Sequence, residues 1–412
     1  MKIKTLLAVS SAMGLVACGT SVLWTSVIDG ANLSGPALPI ATQDNSVYQL
    51  YPIDTQLQLR KLDSKGVVLW QIPVDETVAS NITEPKLGTW ANGVIVGYQD
   101  STNKLAYVKS FDVDGGLLWS SDLGEHTSET LDDMAATTDG GATLAIRLSS
   151  SLTNVLHYDN TGALQWETPI PACSAPCTTT IGVNAAGETL ANNTEWFATK
   201  SYLLDTMGTQ LWYKRRGTGV TTLGLIPNKI TPTSDGFAVL HPLASWHYDM
   251  AGNQTWSYGS GSQANIVTDG SGNFYVPGVG KVSKLDSTGT LVSEIDLSGE
   301  SGLRQLQWRE DLQRLVVLST TEDIGPEIDA TITASTAFHL SLYDAAGTRT
   351  ARYNGTATKL KSSLCPTYPL CTQLSVIQGE NWSQFATTLD GKLVVSGNTV
   401  GSERFAKAFK MP

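Results

Sequence analysis

The chain has 412 residues, a formal net charge of −11 and only 16% charged residues, which argues against a nucleic-acid partner because such a partner needs a basic face to displace phosphate counterions. At 41% hydrophobic residues the chain can bury a large core, so intrinsic disorder is excluded. No run of ~18 apolar residues occurs, so the chain is not a polytopic membrane protein of the helical kind.

The N-terminus carries an export signal. Lys2 and Lys4 form a short positive stretch, and the mostly apolar segment 5–13 that follows is too short to span a bilayer. Then comes Leu15-Val16-Ala17-Cys18, followed by Gly19. This resembles the bacterial lipoprotein signal, the lipobox. The resemblance implies diacylglycerol on the Cys18 thiol, removal of residues 1–17 as a signal peptide, and acylation of the new amine. Several acyl chains give durable anchoring where one does not. Gly19 in place of Asp implies the outer membrane, with the mature chain on its periplasmic or cell-surface face.

A ten-residue pattern then recurs: apolar residues, Asp-x-x-Gly, and Trp four residues after the Gly. It reads KLDSKGVVLW (61–70), SFDVDGGLLW (110–119), HYDNTGALQW (157–166), LLDTMGTQLW (203–212) and HYDMAGNQTW (247–256). KLDSTGTLVS (284–293) and LYDAAGTRTA (342–351) are degenerate copies without the Trp. A period near 45 residues with four short strands per period predicts propeller blades. Asp at the first turn position accepts backbone N–H bonds from residues further on, and Gly at the fourth supplies the positive φ of a hairpin with a G1 bulge. Asp-x-x-Gly is therefore the turn from strand C to the outer strand D of each blade. Trp70, Trp119, Trp166, Trp212 and Trp256 fall on strand D, where they pack between blades. A second turn series, at TTDGG (137–141), TSDG (233–236), TDGSG (268–272) and TLDG (388–391), predicts A-to-B hairpins.

Seven motifs mark seven C–D hairpins. The chain ends on a strand C at 405–409 with no strand D after it, while the mature N-terminus begins SVLWTSVID (21–29), a strand D with Trp24 in the motif position. The two halves complement each other. The expectation is an all-β, eight-bladed β-propeller spanning 18–412 as one domain, with the N-terminal strand completing the last blade and removing an unpaired edge.

The four cysteines beyond Cys18 form two close pairs, Cys173/Cys177 and Cys365/Cys371, in Pro-containing segments. Neither is a CxxC pair and no His lies nearby, so local disulfides in an oxidising compartment are expected, with zinc as the alternative.

With the lipobox, chain length, blade number and Gly-x-x-x-Trp repeats in place, the chain resembles the quinoprotein-like eight-bladed propellers with PQQ-type repeats, and among them the BamB family of outer-membrane assembly lipoproteins. The resemblance implies a non-enzymatic, protein-binding envelope scaffold, possible work in outer-membrane protein assembly, and no bound cofactor. The alternatives are a quinoprotein-type oxidoreductase and a surface glycan or ligand binder. Variable segments at 123–131, 170–178, 192–199, 320–337 and 353–381 fall on the B–C and D–A side, where function on a rigid scaffold usually resides. Candidate partner-binding residues are the basic run Lys214-Arg215-Arg216 and Trp196 on a loop. Acidic residues on the same side include Asp132, Asp133, Glu322, Asp323 and Glu327. No catalytic residue is assigned: no HExxH, GxSxG or Walker loop occurs, and DVDGG (112–116) sits in a repeat turn without the later Glu of a calcium loop.

Overall fold

The computed structural model describes residues 22–28, 40–53, 56–75, 82–100, 105–123, 130–149, 152–171, 178–195, 198–217, 228–259, 262, 264–298, 300, 302–328, 331–362, 376–399 and 404–410. The regular elements are all β-strands and form the eight blades of a β-propeller. In the order A to D, blade 1 comprises Ile40–Gln43, Ser46–Ile53, Gln56–Leu62 and Val68–Asp75; blade 2, Ile82–Trp90, Gly93–Asp100, Leu105–Asp112 and Leu117–Asp122. Blade 3 comprises Thr130–Ala136, Ala142–Arg147, Leu152–Tyr158 and Leu164–Pro171; blade 4, Thr178–Val183, Thr189–Thr194, Ala198–Leu204 and Gln210–Gly217. Blade 5 comprises Lys229–Pro232, Gly236–His241, Ala244–Asp249 and Gln254–Gly259; blade 6, Val267–Thr268, Phe274–Gly278, Lys281–Leu285 and Leu291–Asp296. Blade 7 comprises Gly302–Arg309, Arg314–Ile328, Thr331–Asp344 and Arg349–Ser362; blade 8, Val376–Thr387, Lys392–Thr399, Arg404–Lys410 and the N-terminal Val22–Ile28.

The N-terminal strand runs antiparallel to Arg404–Lys410, with Trp24 opposite Ala408 and Ile28 opposite Arg404. The described strands fall into two compact units, one within Met1–Ser80, Leu318–Leu342 and Arg349–Pro412, the other within Asn81–Val317 and Tyr343–Thr348.

Each Asp-x-x-Gly turn is built as its chemistry requires. Asp63 Oδ1 accepts the N–H groups of Lys65 and Val67, both at 2.8 Å, and the Gly66 N–H returns to the Asp63 carbonyl at 3.0 Å. The same backbone pair of bonds recurs at Asp112, Asp159, Asp205, Asp249, Asp286 and Asp344. Strand pairing slips by one residue just before the turn, between Lys61 and Leu62 and again between His157 and Tyr158, which is the bulge this turn type carries.

The turn also receives the preceding blade. Trp24 of blade 8 donates its indole N–H to the Ser64 carbonyl of blade 1 at 3.0 Å. Trp166 does the same to Thr206 of blade 4, and Trp212 to Met250 of blade 5, each at 3.0 Å. Each such bond contributes roughly 0.5–1.5 kcal/mol. The ring lies flat against the turn glycine: a Cβ on Gly66 would come within 2.4 Å of Trp24, and one on Gly208 within 2.7 Å of Trp166. Both glycines have φ of +79°, so the position needs glycine for its backbone and for its neighbour.

The two copies lacking Trp keep the contact by another route. In blade 6 the motif position is Ser293, and Ile295, two residues on and buried, meets Gly347 of blade 7 instead. In blade 7 the position is Ala351, and the buried Tyr353 packs tilted against Phe409, ring centroids 4.9 Å apart, and donates to the Lys410 carbonyl. A step of two residues returns to the same strand face, so the side chain is displaced along the face and stays on it.

Inner strands are joined differently. Strand A is an edge of its sheet in blades 1 to 7, and at several inner strands side chains from the adjacent blade bond the backbone. Asp132 and Asp133 accept the N–H groups of Thr179 and Ile181, each at 3.0 Å. Asn265 bonds both the N–H and the carbonyl of Leu306, and Thr42 donates to the Thr387 carbonyl at 2.9 Å.

The 320–337 segment expected as a loop belongs to strands Arg314–Ile328 and Thr331–Asp344, of 15 and 14 residues. Its extra length relative to the repeat suggested a connector, yet its Thr- and Ile-rich sequence favours extended backbone. Part of the 353–381 segment is likewise strand: Ala357 and Thr358 pair with Gly379 and Gln378, joining blades 7 and 8 into one eight-stranded sheet.

Trp119 is 6% exposed and lies against Gly162 of the following blade. Trp119→Ala is expected to destabilise the fold by roughly 3–5 kcal/mol in denaturant unfolding, and Gly208→Ala by at least ~1 kcal/mol through its positive φ and the Trp166 contact.

Candidate functional site

The turn side of each blade is consumed by architecture. The motif aspartates hold their own turns, and DVDGG is one of them: Asp112 Oδ1 accepts the N–H groups of Asp114 and Gly116 at 2.9 and 2.7 Å. A–B hairpins appear where the sequence expected them and also at Asn184–Gly187, where Asn184 Oδ1 replaces the aspartate as acceptor for Ala186 and Glu188. The signal there was the same spacing with Asn in place of Asp.

The histidines are held within and between strands. His157 contacts Thr143 Oγ1 at 3.1 Å and stacks on Trp166 at 5.4 Å. His247 bonds Thr233 Oγ1 at 3.0 Å and Thr255 Oγ1 at 2.7 Å and stacks on Trp256. His339 bridges Thr321 Oγ1 at 3.1 Å and Asn354 Oδ1 at 2.9 Å. Among the described residues no group of three His, Cys, Asp or Glu is placed to hold a metal ion.

The basic run Lys214-Arg215-Arg216 is not one patch. It lies in strand D of blade 4, where successive side chains take opposite faces, so Arg215 is exposed and separated from the half-buried Lys214 and Arg216. Arg216 spans to blade 5: its guanidinium sits 4.7 Å over the Trp246 ring and donates to Ser257 Oγ at 2.9 Å and to Gln254. A loop would have kept the three charges together; the strand's alternation divides them.

Asp132 and Asp133 likewise leave the expected acidic surface. Asp132 is buried and pairs with Arg147 at 3.0 Å, and Asp133 is half-buried, with desolvation pushing its pKa up against the opposing Ile181 N–H. Trp70 packs at a tilt against Tyr48 within blade 1, ring centroids 5.9 Å apart, while Trp256 lies against Gly289 of blade 6. Cys18, Cys173, Cys177, Cys365, Cys371 and Trp196 lie outside the described residues, as do Glu125, Glu129 and Asp329. Sequence reasoning missed one cationic pairing. Lys229 and Arg304, on the inner strands of blades 5 and 7, lie in each other's field, and burial followed by Arg304 pushes the Lys229 pKa down.

What varies between blades is the B–C side of blade 7. The middle strands of the other blades are 5–8 residues long, whereas those of blade 7 run to 15 and 14. They form an arm carrying Glu322, Asp323 and Glu327 in its sequence.

No protein-family model and no curated protein matches the chain. Among solved structures it is similar to Sqt1 from Chaetomium thermophilum, at 11% identity over 96% of this chain and 100% of that one, with a TM-score of 0.58. The Pan2 WD40 domain of Neurospora crassa matches at 12% identity over 95% and 96% of the two chains, TM-score 0.49. The WD40 domain of fission-yeast SCAP matches at 11% identity over 94% and 98%, TM-score 0.48. At these identities the first likeness speaks for the propeller fold alone.

His241 is fully buried, and burial together with Arg216 pushes its pKa down from 6.5 to about 4. Burial also lowers His157 and His247. Between about pH 6.5 and 4 the unfolded chain therefore binds protons that the folded rings refuse, so stability falls as pH falls through that window and these rings have no effect above it. Thermal unfolding across that range is expected to show a falling Tm, with a shallower fall for His241→Gln.

Proposed function

We propose that the protein is a lipid-anchored scaffold of the bacterial envelope that binds a protein partner through the B–C side of its propeller, without catalysis of its own. The blade-7 arm carries this reading. It is the largest departure from the repeat among the described strands, and propeller scaffolds recognise partners through such departures because the repeat itself is spent on blade packing. The described histidines and motif aspartates are engaged in turns and blade contacts, which leaves the arm and the connectors for recognition. The lipobox and repeat resemblance favours outer-membrane protein assembly as the setting.

Two measurements test it. Cys18→Ser is expected to move the protein from the membrane to the soluble fraction of cells and to remove the acyl mass from its N-terminal peptide; unchanged fractionation and mass would exclude the anchor. Replacing 322–335 with a two-residue turn is expected to leave the circular dichroism spectrum and Tm nearly unchanged. A photocrosslinker at position 325 of the parent chain is expected to capture one discrete envelope protein. A parent chain that crosslinks to nothing there would remove the arm as the binding element.

A further inference from the structure

Among the described residues, blade 1 contains a buried cation with no carboxylate paired to it. Arg60, on strand C, is 3% exposed. Its Nε and Nη2 both donate to one atom, Oε1 of the cross-strand partner Gln49, at 2.9 and 2.6 Å. Among the described residues no carboxylate pairs with it. The guanidinium lies 5.4 Å from the Tyr51 ring centroid. A buried guanidinium without a counter-charge is costly, and proteins ordinarily supply a carboxylate at such a position.

Its surroundings offer donors in place of acceptors. Gln49 is fully buried, its Oε1 is taken by Arg60, and its Nε2 has no partner. Tyr51, two residues along the same strand and therefore on the same face, is also fully buried with an unpartnered hydroxyl. Burial pushes the Tyr51 pKa up to about 12 despite Arg60, so the hydroxyl keeps its proton at neutral pH and can donate. Burial also lowers Arg60, to about 10, which leaves it charged at neutral pH. This is the face that, one step further along, packs Val47 and Leu62 on Val394, Ala406 and Ala408 of blade 8, so an apolar layer bounds the site on one side.

We propose that Arg60, Gln49 and Tyr51 form a binding site for a small oxyanion, the carboxylate or phosphate group of a low-molecular-weight ligand. The guanidinium supplies the charge, with Nη1 as its remaining nitrogen. The Gln49 amide and the Tyr51 hydroxyl supply two neutral N–H and O–H donors. Water could meet the same donors, but only an anion offsets the buried charge. The site is independent of the blade-7 arm and of the lipid anchor.

The test is thermal unfolding of the purified chain titrated with sodium phosphate and, separately, sodium acetate, against sodium chloride at matched ionic strength. The parent is expected to show a saturable rise in Tm with phosphate, acetate or both, and the responding probe identifies the group preferred. Arg60→Met is expected to abolish the rise, weakening apparent affinity by roughly 30-fold or more, and Tyr51→Phe to reduce it. In chloride alone Arg60→Met is expected to be at least as stable as the parent, because it removes an uncompensated charge. Two results would overturn the proposal: a parent response to both probes no larger than the chloride control, or an equal response in Arg60→Met. A third would be an Arg60→Met chain much less stable than the parent in chloride with no anion dependence in either, which would make Arg60 a structural tie to Gln49.

Discussion

The contact on which the fold rests is an indole laid across the hairpin turn of the next blade. A single sheet of four strands cannot bury both its faces, and each blade depends on its neighbour for one of them. Where Trp24, Trp166 and Trp212 bond the turns of the following blades, the tight Asp-x-x-Gly geometry presents a carbonyl and a bare glycine surface to the ring. The aspartate shapes the turn, the glycine makes room, and the tryptophan occupies it. The three residue types recur together at these turns, and where the Trp is missing an apolar side chain further along the strand, such as Ile295 against Gly347, takes its place.

The inner edges obey a second constraint. In blades 4, 7 and 8, backbone groups of strand A that face away from the sheet are met by side chains of the adjacent blade, Asp133, Asn265 and Thr42 among them. Acidic groups that look like surface charge in the sequence are thereby drawn inside. Asp132 ends up buried, and the half-buried Asp133 resists ionisation, its oxygens committed to N–H groups of Ile181 and Met134. Arg216 is drawn inward at an outer strand by the same logic, trading solvent for the face of Trp246. Arg60 differs: among the described residues this buried charge is met by a single amide oxygen and neutral donors.

The repeat was legible because its period is set by covalent spacing. The seven C–D turns, their bulges and the N-terminal strand completing blade 8 all follow from residues within a few positions of one another and from the count of half-blades. Less legible were the substitutes at Ile295 and Tyr353, since a contact that slides two residues along a strand keeps its face and loses its motif. The blade-7 arm reads as a loop in the sequence because its extra length breaks the repeat, although its β-branched residues favour strand. The run Lys214-Arg215-Arg216 reads as one patch because sequence adjacency hides the alternation of a strand.

Local chemistry, then, determined the turns, the strand order within each blade and the number of blades, because hairpins and period-two strands are decided by neighbours in the chain. Which polar groups are buried, and against what, was decided only by the tertiary structure. Asp133, Arg216 and Arg60 are charged residues of ordinary appearance, and their environments come from residues up to about fifty positions away or from the opposite strand. Burial is a property of the packed blades, and no short stretch of sequence carries it.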